Sequence, residues 1–261
     1  MMKSNVRLTD LLAEYFDDVR RAGVTDFPVA ACETVGPTEK SSANPHAVPF
    51  PIKNNAPDPL ESITAQIRPG LSAQAKERLL GDLAQVVAGC PLCPKLVSSR
   101  TQTVFGAGNP DAELVFVGEG PGLEEDQQGI PFVGRSGQLL TDIIVKGMKM
   151  RREETYICNI VRCRPPENRN PLPDEVLHCR PFLEMTLRII DPKYICCLGA
   201  VAAQNLLQTE KAIGKLRGII HRYQGAKVVC TYHPAYLLRN PAAKVPTWED
   251  IKILLREMGR M

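Results

Sequence analysis

Residues 113–134 read ELVFVGEGPGLEEDQQGIPFVG, and the way this stretch changes character decides the fold. Glu113 to Val117 is a short apolar run of β-prone residues, the signature of a buried strand. It ends in Gly118-Glu119-Gly120-Pro121-Gly122, where three glycines and a proline within five residues make a tight, rigid loop whose backbone can approach a ligand closely. The same change from apolar strand to loop recurs along the chain. Thr155–Val161, Tyr194–Leu198 and Lys227–Thr231 read as strands. Helices fit between and after them at Ser136–Lys146, Pro173–Ile190, Ala200–Leu207 and Thr247–Met258. This alternation predicts an α/β fold: a three-layer αβα sandwich around a central four-stranded parallel sheet. Ligands of such sheets bind beyond the carboxyl ends of the strands, so the strand-end loops carry the functional reading.

Upstream of the first strand, Ser72 is a fitting N-cap for a helix running to about Ala88, with Leu79, Leu80, Leu83, Val86 and Val87 on one face. The first seventy residues differ in kind. Residues 7–22 read as one amphipathic helix, with Leu8, Leu11, Leu12, Tyr15, Phe16 and Val19 at helical spacing. Phe27–Pro69 holds eight prolines without an apolar period and reads as a disordered linker. The expected organisation is therefore an extension over 1–70 and a domain over 71–261. Its helix reads as a loosely docked appendage, with a partner-binding peptide as the alternative.

Composition narrows the function classes. The net charge of +3 is modest, but the first seventy residues hold 7 Lys/Arg against 9 Asp/Glu, so the remainder carries about +5 and suits a phosphate-bearing partner. Charges interleave the apolar residues from Met1 to Arg21, unlike a signal peptide, and no run approaches a membrane span. A soluble cytoplasmic monomer with no membrane partner is expected. Nine cysteines, an odd number, argue against a disulfide framework and for metal ligation or buried thiols in a reducing compartment.

Three strand ends carry candidate chemistry. After the first, Pro121 removes a backbone donor, the acidic Glu124-Glu125-Asp126 would repel a pyrophosphate, and no helix is expected directly after the glycines; a dinucleotide site is therefore disfavoured. A loop that repels phosphate yet offers Phe132 suits a neutral ring. The second strand leads through Asn159, whose planar amide can pair with the edge of a base, into Arg162-Cys163-Arg164-Pro165-Pro166-Glu167-Asn168-Arg169. The last ends in Tyr232-His233-Pro234, placing a histidine where a strand stops and a helical turn begins. Cys90 and Cys93 form a C-x2-C pair, whereas 15 residues separate Cys163 from Cys179, a spacing that counts against a zinc ribbon. Cys158, Cys196, Cys197 and Cys230 lie in apolar strands and read as buried thiols; Cys32 falls in the linker.

The segments GEGPGLEEDQQGIPFVGRSGQLL, CNIVRCRPPENR and HPAYLLRNP, in this order, resemble the motifs of the uracil-DNA glycosylase superfamily, and the resemblance is close to its iron-sulfur family 4. It covers roughly Leu71 to Gly259. It implies hydrolysis of the N-glycosidic bond of a flipped-out uracil in DNA, and a 4Fe-4S cluster on Cys90, Cys93, Cys163 and Cys179. It also implies that Phe132 stacks on uracil, that Asn159 pairs with O4 and N3-H, and that backbone groups around Gly120 contact O2.

His233 is expected to donate to O2 as negative charge grows there, from a neutral imidazole N-H. Gly120 stands where the best-known branch of the superfamily has an aspartate, which leaves Glu119 and Glu125 as the candidates for activating water. The resemblance adds that Glu125 lies near uracil C5 and that Asn168 assists; Asp126 reads as a solvated turn residue. Phosphate contacts are expected from Arg162, Arg164, Arg169, Lys211, Lys215, Arg217 and Arg239. Two other readings stand beside this one: a non-catalytic iron-sulfur module that binds nucleic acid, and a relative acting on another deaminated base. Gly214-Lys215-Leu216-Arg217-Gly218 lacks the basic, His-bearing loop expected of an enzyme that traps the abasic sugar, although His221 lies nearby.

Overall fold

The computed structural model describes residues 59–261. The helix expected over 7–22, Cys32 and most of the proline-rich stretch lie outside the described residues. The end of that stretch departs from the linker expectation, because Pro59–Gln66 forms a helix (α1). Its first position is proline, where the missing N-H costs nothing. Leu60, Ile63 and Ile67 follow at helical spacing, and Ile63 is only 4% exposed within the core. The packed unit therefore begins before Leu71.

Helix α2 (Ala73–Ala88) starts on Ser72, whose Oγ accepts from the Ala75 N-H at 3.3 Å. A short α3 (Pro94–Ser99) leads to strands β1 (Ala107–Gly108) and β2 (Leu114–Gly118). There follow α4 (Leu123–Gln128) and α5 (Arg135–Asp142), which widens into a π-helical turn over Ile143–Gly147. Then come β3 (Tyr156–Asn159), α6 (Pro173–Ile190), β4 (Tyr194–Leu198), α7 (Ala200–Leu207) and α8 (Ile213–Leu216). The chain finishes with β5 (Ile220–Tyr223), β6 (Ala226–Thr231), α9 (Pro234–Arg239) and α10 (Lys244–Glu257).

The sheet order is β1-β3-β2-β4-β6-β5. Its centre, β3-β2-β4-β6, is the expected four-stranded parallel sheet. Two antiparallel edges extend it, β1 on β3 and β5 on β6. The β5–β6 hairpin turns on Gln224 (φ 46°) and Gly225 (φ 93°), a two-residue connection with both centres left-handed. Central strands buried on both faces alternate between two cores. Val115, Val117, Ile195, Cys197, Val228 and Cys230 pack with α2, α6 and α7, while Leu114, Phe116, Cys196, Leu198 and Val229 pack with α5 and α10. That alternation makes the three layers. Cys158, Cys196, Cys197 and Cys230 are fully buried, as expected of core thiols. Among the described residues no helix is long and apolar enough to cross a membrane.

Candidate active site

Strand order reverses direction at β2, which has β3 on one side and β4 on the other, so a crevice opens at the carboxyl ends of β2 and β3. Their exits stay paired beyond the ladder: the Ile160 N-H donates to the Gly118 carbonyl at 2.9 Å and the Val161 N-H to the Glu119 carbonyl at 3.1 Å. The cavity at this edge measures about 540 Å³ and is bordered by Glu119, Gly120, Phe132, Asn159, Asn168 and His233. Three separate motif segments thus converge. A smaller cavity of about 220 Å³ lies at the opposite, amino end of the sheet, lined by Arg68, Arg188 and Gln224, and contains none of the motif residues.

Two side chains meet on the floor. A methyl group on Gly118 would stand 2.5 Å from both Oδ1 of Asn159 and Cζ of Phe132, so only glycine lets the ring and the amide lie against the strand end. Asn159 is 1% exposed, and its Oδ1 is buried without a hydrogen-bond partner. An unpaired buried acceptor costs folding free energy, on the order of 1–3 kcal/mol, unless a ligand satisfies it. His233 stands 5.7 Å from the Phe132 ring, centre to centre. The Ala235 N-H donates to its Nδ1 at 3.1 Å, capping α9 and leaving the proton on Nε2. Burial, reinforced by the Arg239 charge, pushes the imidazole down to about 4, so it is neutral at physiological pH.

The acidic residues divide by environment. Burial raises the Glu119 carboxyl above its ordinary range, and among the described residues no donor reaches its oxygens. Glu125 differs, since Oε1 accepts from the Val133 and Gly134 N-H groups, each at 2.9 Å, and Oε2 from the Gly122 N-H at 3.1 Å. A carboxylate committed to three backbone donors braces its loop; of the two water-activating candidates, only Glu119 keeps free oxygens.

Helix α4 does start directly after Gly122, against expectation, because Glu125 supplies the cap that the glycine lacks. Asp126 is also not a solvated turn residue: it is 1% exposed and takes the Thr101 N-H on both oxygens, at 3.0 and 2.9 Å. Asn168 lines the cavity at φ 55° and accepts from Arg164 Nε at 2.8 Å.

Several arginines expected on phosphate have other duties. Arg162 is fully buried, donating to the Phe105 carbonyl at 2.5 Å and to Thr186 Oγ1 at 3.0 Å. Arg169 pairs with Glu175 through two bonds, at 2.8 and 2.6 Å. Arg217 grips buried Asp250 at 3.0 and 3.1 Å, donates to the Pro246 carbonyl and covers the Tyr232 ring. None of the three presents a free guanidinium. Arg239 is exposed at the cavity, and Lys211 and Lys215 are exposed on the stretch between α7 and β5. Arg152, which the sequence did not single out, donates to the Pro131 carbonyl at 2.8 Å and the Phe132 carbonyl at 3.0 Å.

The Cys90-Cys93 pair, Cys163 and Cys179 approach one another from three segments. Burial, then repulsion from Cys179, Cys90 and Cys163, pushes the Cys93 thiol up to about 12. Burial likewise raises Cys179 to about 11, with Cys163 and Cys90 adding to it. Arg100 donates to Cys163 Sγ at 2.9 Å, and Cys93 Sγ lies 3.4 Å from His178 Nδ1. Among the described residues, no group of three or more His, Cys, Asp or Glu side chains forms a single-ion metal site. Arg100 and His178 thus lie against two of these four thiols.

The uracil DNA glycosylase superfamily model matches residues 105–252. A type-4 uracil-DNA glycosylase of Thermotoga maritima is 48% identical over 167 residues, covering 63% of this chain and 86% of that protein. The type-4 enzyme of Archaeoglobus fulgidus is 40% identical over 181 residues, covering 66% and 90%. That of Sulfurisphaera tokodaii is 39% identical over 188 residues, covering 69% and 84%. With the match spanning the crevice, its three loops and the central sheet, this chain belongs to the uracil DNA glycosylase superfamily, in its type-4 branch.

Proposed function

We propose that this chain excises uracil from DNA by hydrolysing the N-glycosidic bond and leaving an abasic site. The observation that carries the reading is the buried, unpartnered Oδ1 of Asn159 beside the Phe132 ring in a crevice large enough for a base. In uracil, N3-H is the donor that this oxygen lacks and O4 the acceptor for the amide nitrogen. Cytosine presents the reverse pattern and would leave both groups unpaired.

A base within a duplex must first be extruded, at a cost of a few kcal/mol. Stacking on Phe132 and the paired amide offset that cost. Tyr236 and Leu238, exposed on α9 beside the crevice, are apolar groups suited to fill the gap left in the stack. As the C1'-N1 bond breaks, negative charge grows on O2 and positive charge on the sugar. The Nε2-H of neutral His233 donates to O2 and stabilises the developing anion more than the ground state. Backbone groups at Gly120 lie on the same edge. Glu119, desolvated and without a donor, takes the proton of the attacking water at C1'. The proton ends on the carboxylate, the hydroxyl on the sugar and the electron pair on uracil. Asn168 helps to hold the sugar side of the crevice, and Arg239 and Lys215 face the phosphates.

The four cysteines fit a 4Fe-4S cluster. Four thiolates with their iron form a net anion, and buried Arg162, whose Nε has no partner, supplies positive charge alongside Arg100. Such a cluster would join the segments around α3, α6 and the β3 exit, and its role is structural, since this hydrolysis moves no net electrons. Supporting that role, Arg100 touches Cys163 while the next residue, Thr101, is held by Asp126 on α4. The protein acts as a soluble cytoplasmic monomer on uracil-containing DNA.

The test is incubation with a labelled oligonucleotide holding one uracil, followed by alkali. Strand breaks at uracil support the reading. No breaks would favour a binding module, and breaks only at other deaminated bases would reassign the substrate.

A further inference from the structure

The Phe132 platform sits on backbone that resists its own conformation. A bulky aromatic at φ 54° is an outlier for an L-residue, and the first turn of α5 presses on it so closely that a side chain on Gly137 would stand on the Phe132 carbonyl. Something must hold this peptide.

We propose that Arg152 is a positioning residue for the uracil-stacking ring, acting as one jaw of a clamp whose other jaw is Glu125. Arg152 lies in the single 3-10 turn Arg152–Glu154 before β3, outside every motif that marks the site. Its Nη2 donates to the carbonyls of Pro131 and Phe132, at 2.8 and 3.0 Å. Its Nη1 donates to Thr141 Oγ1 on α5 at 2.8 Å. From the other side, Glu125 takes the N-H groups of Val133 and Gly134. Four consecutive residues thus have two carbonyls held by a cation and two amides held by an anion.

Among the described residues no carboxylate lies within ion-pair distance of Arg152, so its guanidinium is spent on carbonyl and hydroxyl acceptors. A planar fork spreads fixed donors over two successive carbonyls and a hydroxyl, whereas a lysine ammonium offers its donors from one flexible point. Without the clamp, the peptide relaxes toward negative φ and the ring leaves the position where it meets Asn159 and His233.

This inference rests on the uracil reading for its kinetic arm but has a second arm that does not. Arg152→Gln is expected to lower kcat/KM for uracil excision by roughly tenfold to a hundredfold, the range that backbone strain of this kind represents. Affinity for uracil-free DNA should stay unchanged. In a Phe132→Gly background, where glycine adopts the same φ without strain and no ring remains to be placed, adding Arg152→Gln should change kcat/KM by less than about twofold. An undiminished effect in that background would overturn the proposal.

Fluorine NMR of 4-fluorophenylalanine at position 132 reads the ring without substrate. A single sharp resonance in the parent that broadens or splits in Arg152→Gln supports the clamp, and an unaltered resonance sinks it. If Arg152→Gln does not fold, Arg152→Lys serves: an intermediate loss supports the proposal, and parental activity with a parental resonance overturns it. A parent inactive on uracil would sink the functional reading alone, because the resonance still judges the clamp.

Discussion

The Ala235 backbone N-H donates to Nδ1 of His233 at 3.1 Å, and this single bond fixes which imidazole nitrogen can face a substrate. Because Nδ1 accepts, the proton resides on Nε2, and burial keeps the ring neutral by holding it near 4, below the ordinary 6.5. A group whose folded-state value is depressed stabilises the fold above its unfolded value and loses that contribution as pH falls through the folded one. His233 therefore favours the folded state fully above about pH 6.5 and progressively less down to about pH 4. Nitrogen-resolved NMR should show a neutral Nε2-H tautomer, unchanged between pH 5.5 and 8 at about its plateau. His233→Ala should cost kcat about a hundredfold to a thousandfold, the effect of losing one oxyanion donor. A titration midpoint near 6.5 in the intact protein would reject this tautomer argument.

Glu119 sets a separate limit. Its carboxyl is raised by burial, so the acidic limb of the kcat/KM profile should lie above the ordinary glutamate range, with activity rising as the group loses its proton. Glu119→Gln should abolish that limb and reduce turnover by about a hundredfold. If the limb survives the substitution, water is activated by another group.

The proposed base-reading role of Asn159 carries a cost in stability. Its Oδ1 is buried and unpaired, so the near-isosteric Asn159→Leu removes a desolvated polar atom from the floor of the crevice. Thermal unfolding should show a variant as stable as the parent or up to about 1 kcal/mol more stable, yet with excision lost. A large destabilisation would mean that the amide serves the fold, and the base-reading role would lose its support.

Much of this was legible in the chain, and what escaped has a common cause. The limits expected for α6 and α7 match those found, since long periodic runs between breakers leave little choice. The β3 expectation ran on to Val161; the strand ends at Asn159, although the Ile160 and Val161 amides still bond to the Gly118 and Glu119 carbonyls of the β2 exit. Three motif segments pointed to the cavity, and the structure brings Glu119, Phe132, Asn159 and His233 to it. The duties of Glu125, Asp126, Arg152, Arg162 and Arg217 were not readable. Those of Asp126, Arg152, Arg162 and Arg217 are set by partners distant in sequence, and that of Glu125 by nearby backbone N-H groups; neither leaves a pattern in residue types. Arg217 and Asp250 lie 33 positions apart. Leu60, Ile63 and Ile67 did carry a helical period, hidden by the prolines around them.

For the four cysteines, the expected outcome is brown protein with iron and sulfide in equal amounts, lost in Cys163→Ala. Removing the iron should lower the melting temperature, because the segments around α3, α6 and the β3 exit are no longer tied. Changing the oxidation state should leave excision of a pre-bound substrate unaltered. A redox-dependent rate would contradict a structural role, and iron-free protein of full stability would contradict the tie.

The basic residues around the crevice can be sorted by salt. A phosphate contact releases condensed counterions, so removing one should flatten the dependence of log K on log salt by about one unit and weaken binding at any sequence. Arg239→Ala and Lys215→Ala are expected to behave in this way. Arg217→Ala should not: its guanidinium is committed to Asp250, whose carboxylate is fully buried and also accepts from Thr231, two residues before His233. Removing Arg217 strands that buried charge, at a cost of about 3 kcal/mol, and loosens the strand end that carries the histidine. The salt slope of Arg217→Ala should therefore equal the parent's, while its melting temperature and kcat both fall. A flattened slope with unchanged stability would return Arg217 to the phosphate contacts and leave Asp250 without the ion pair on which this argument rests.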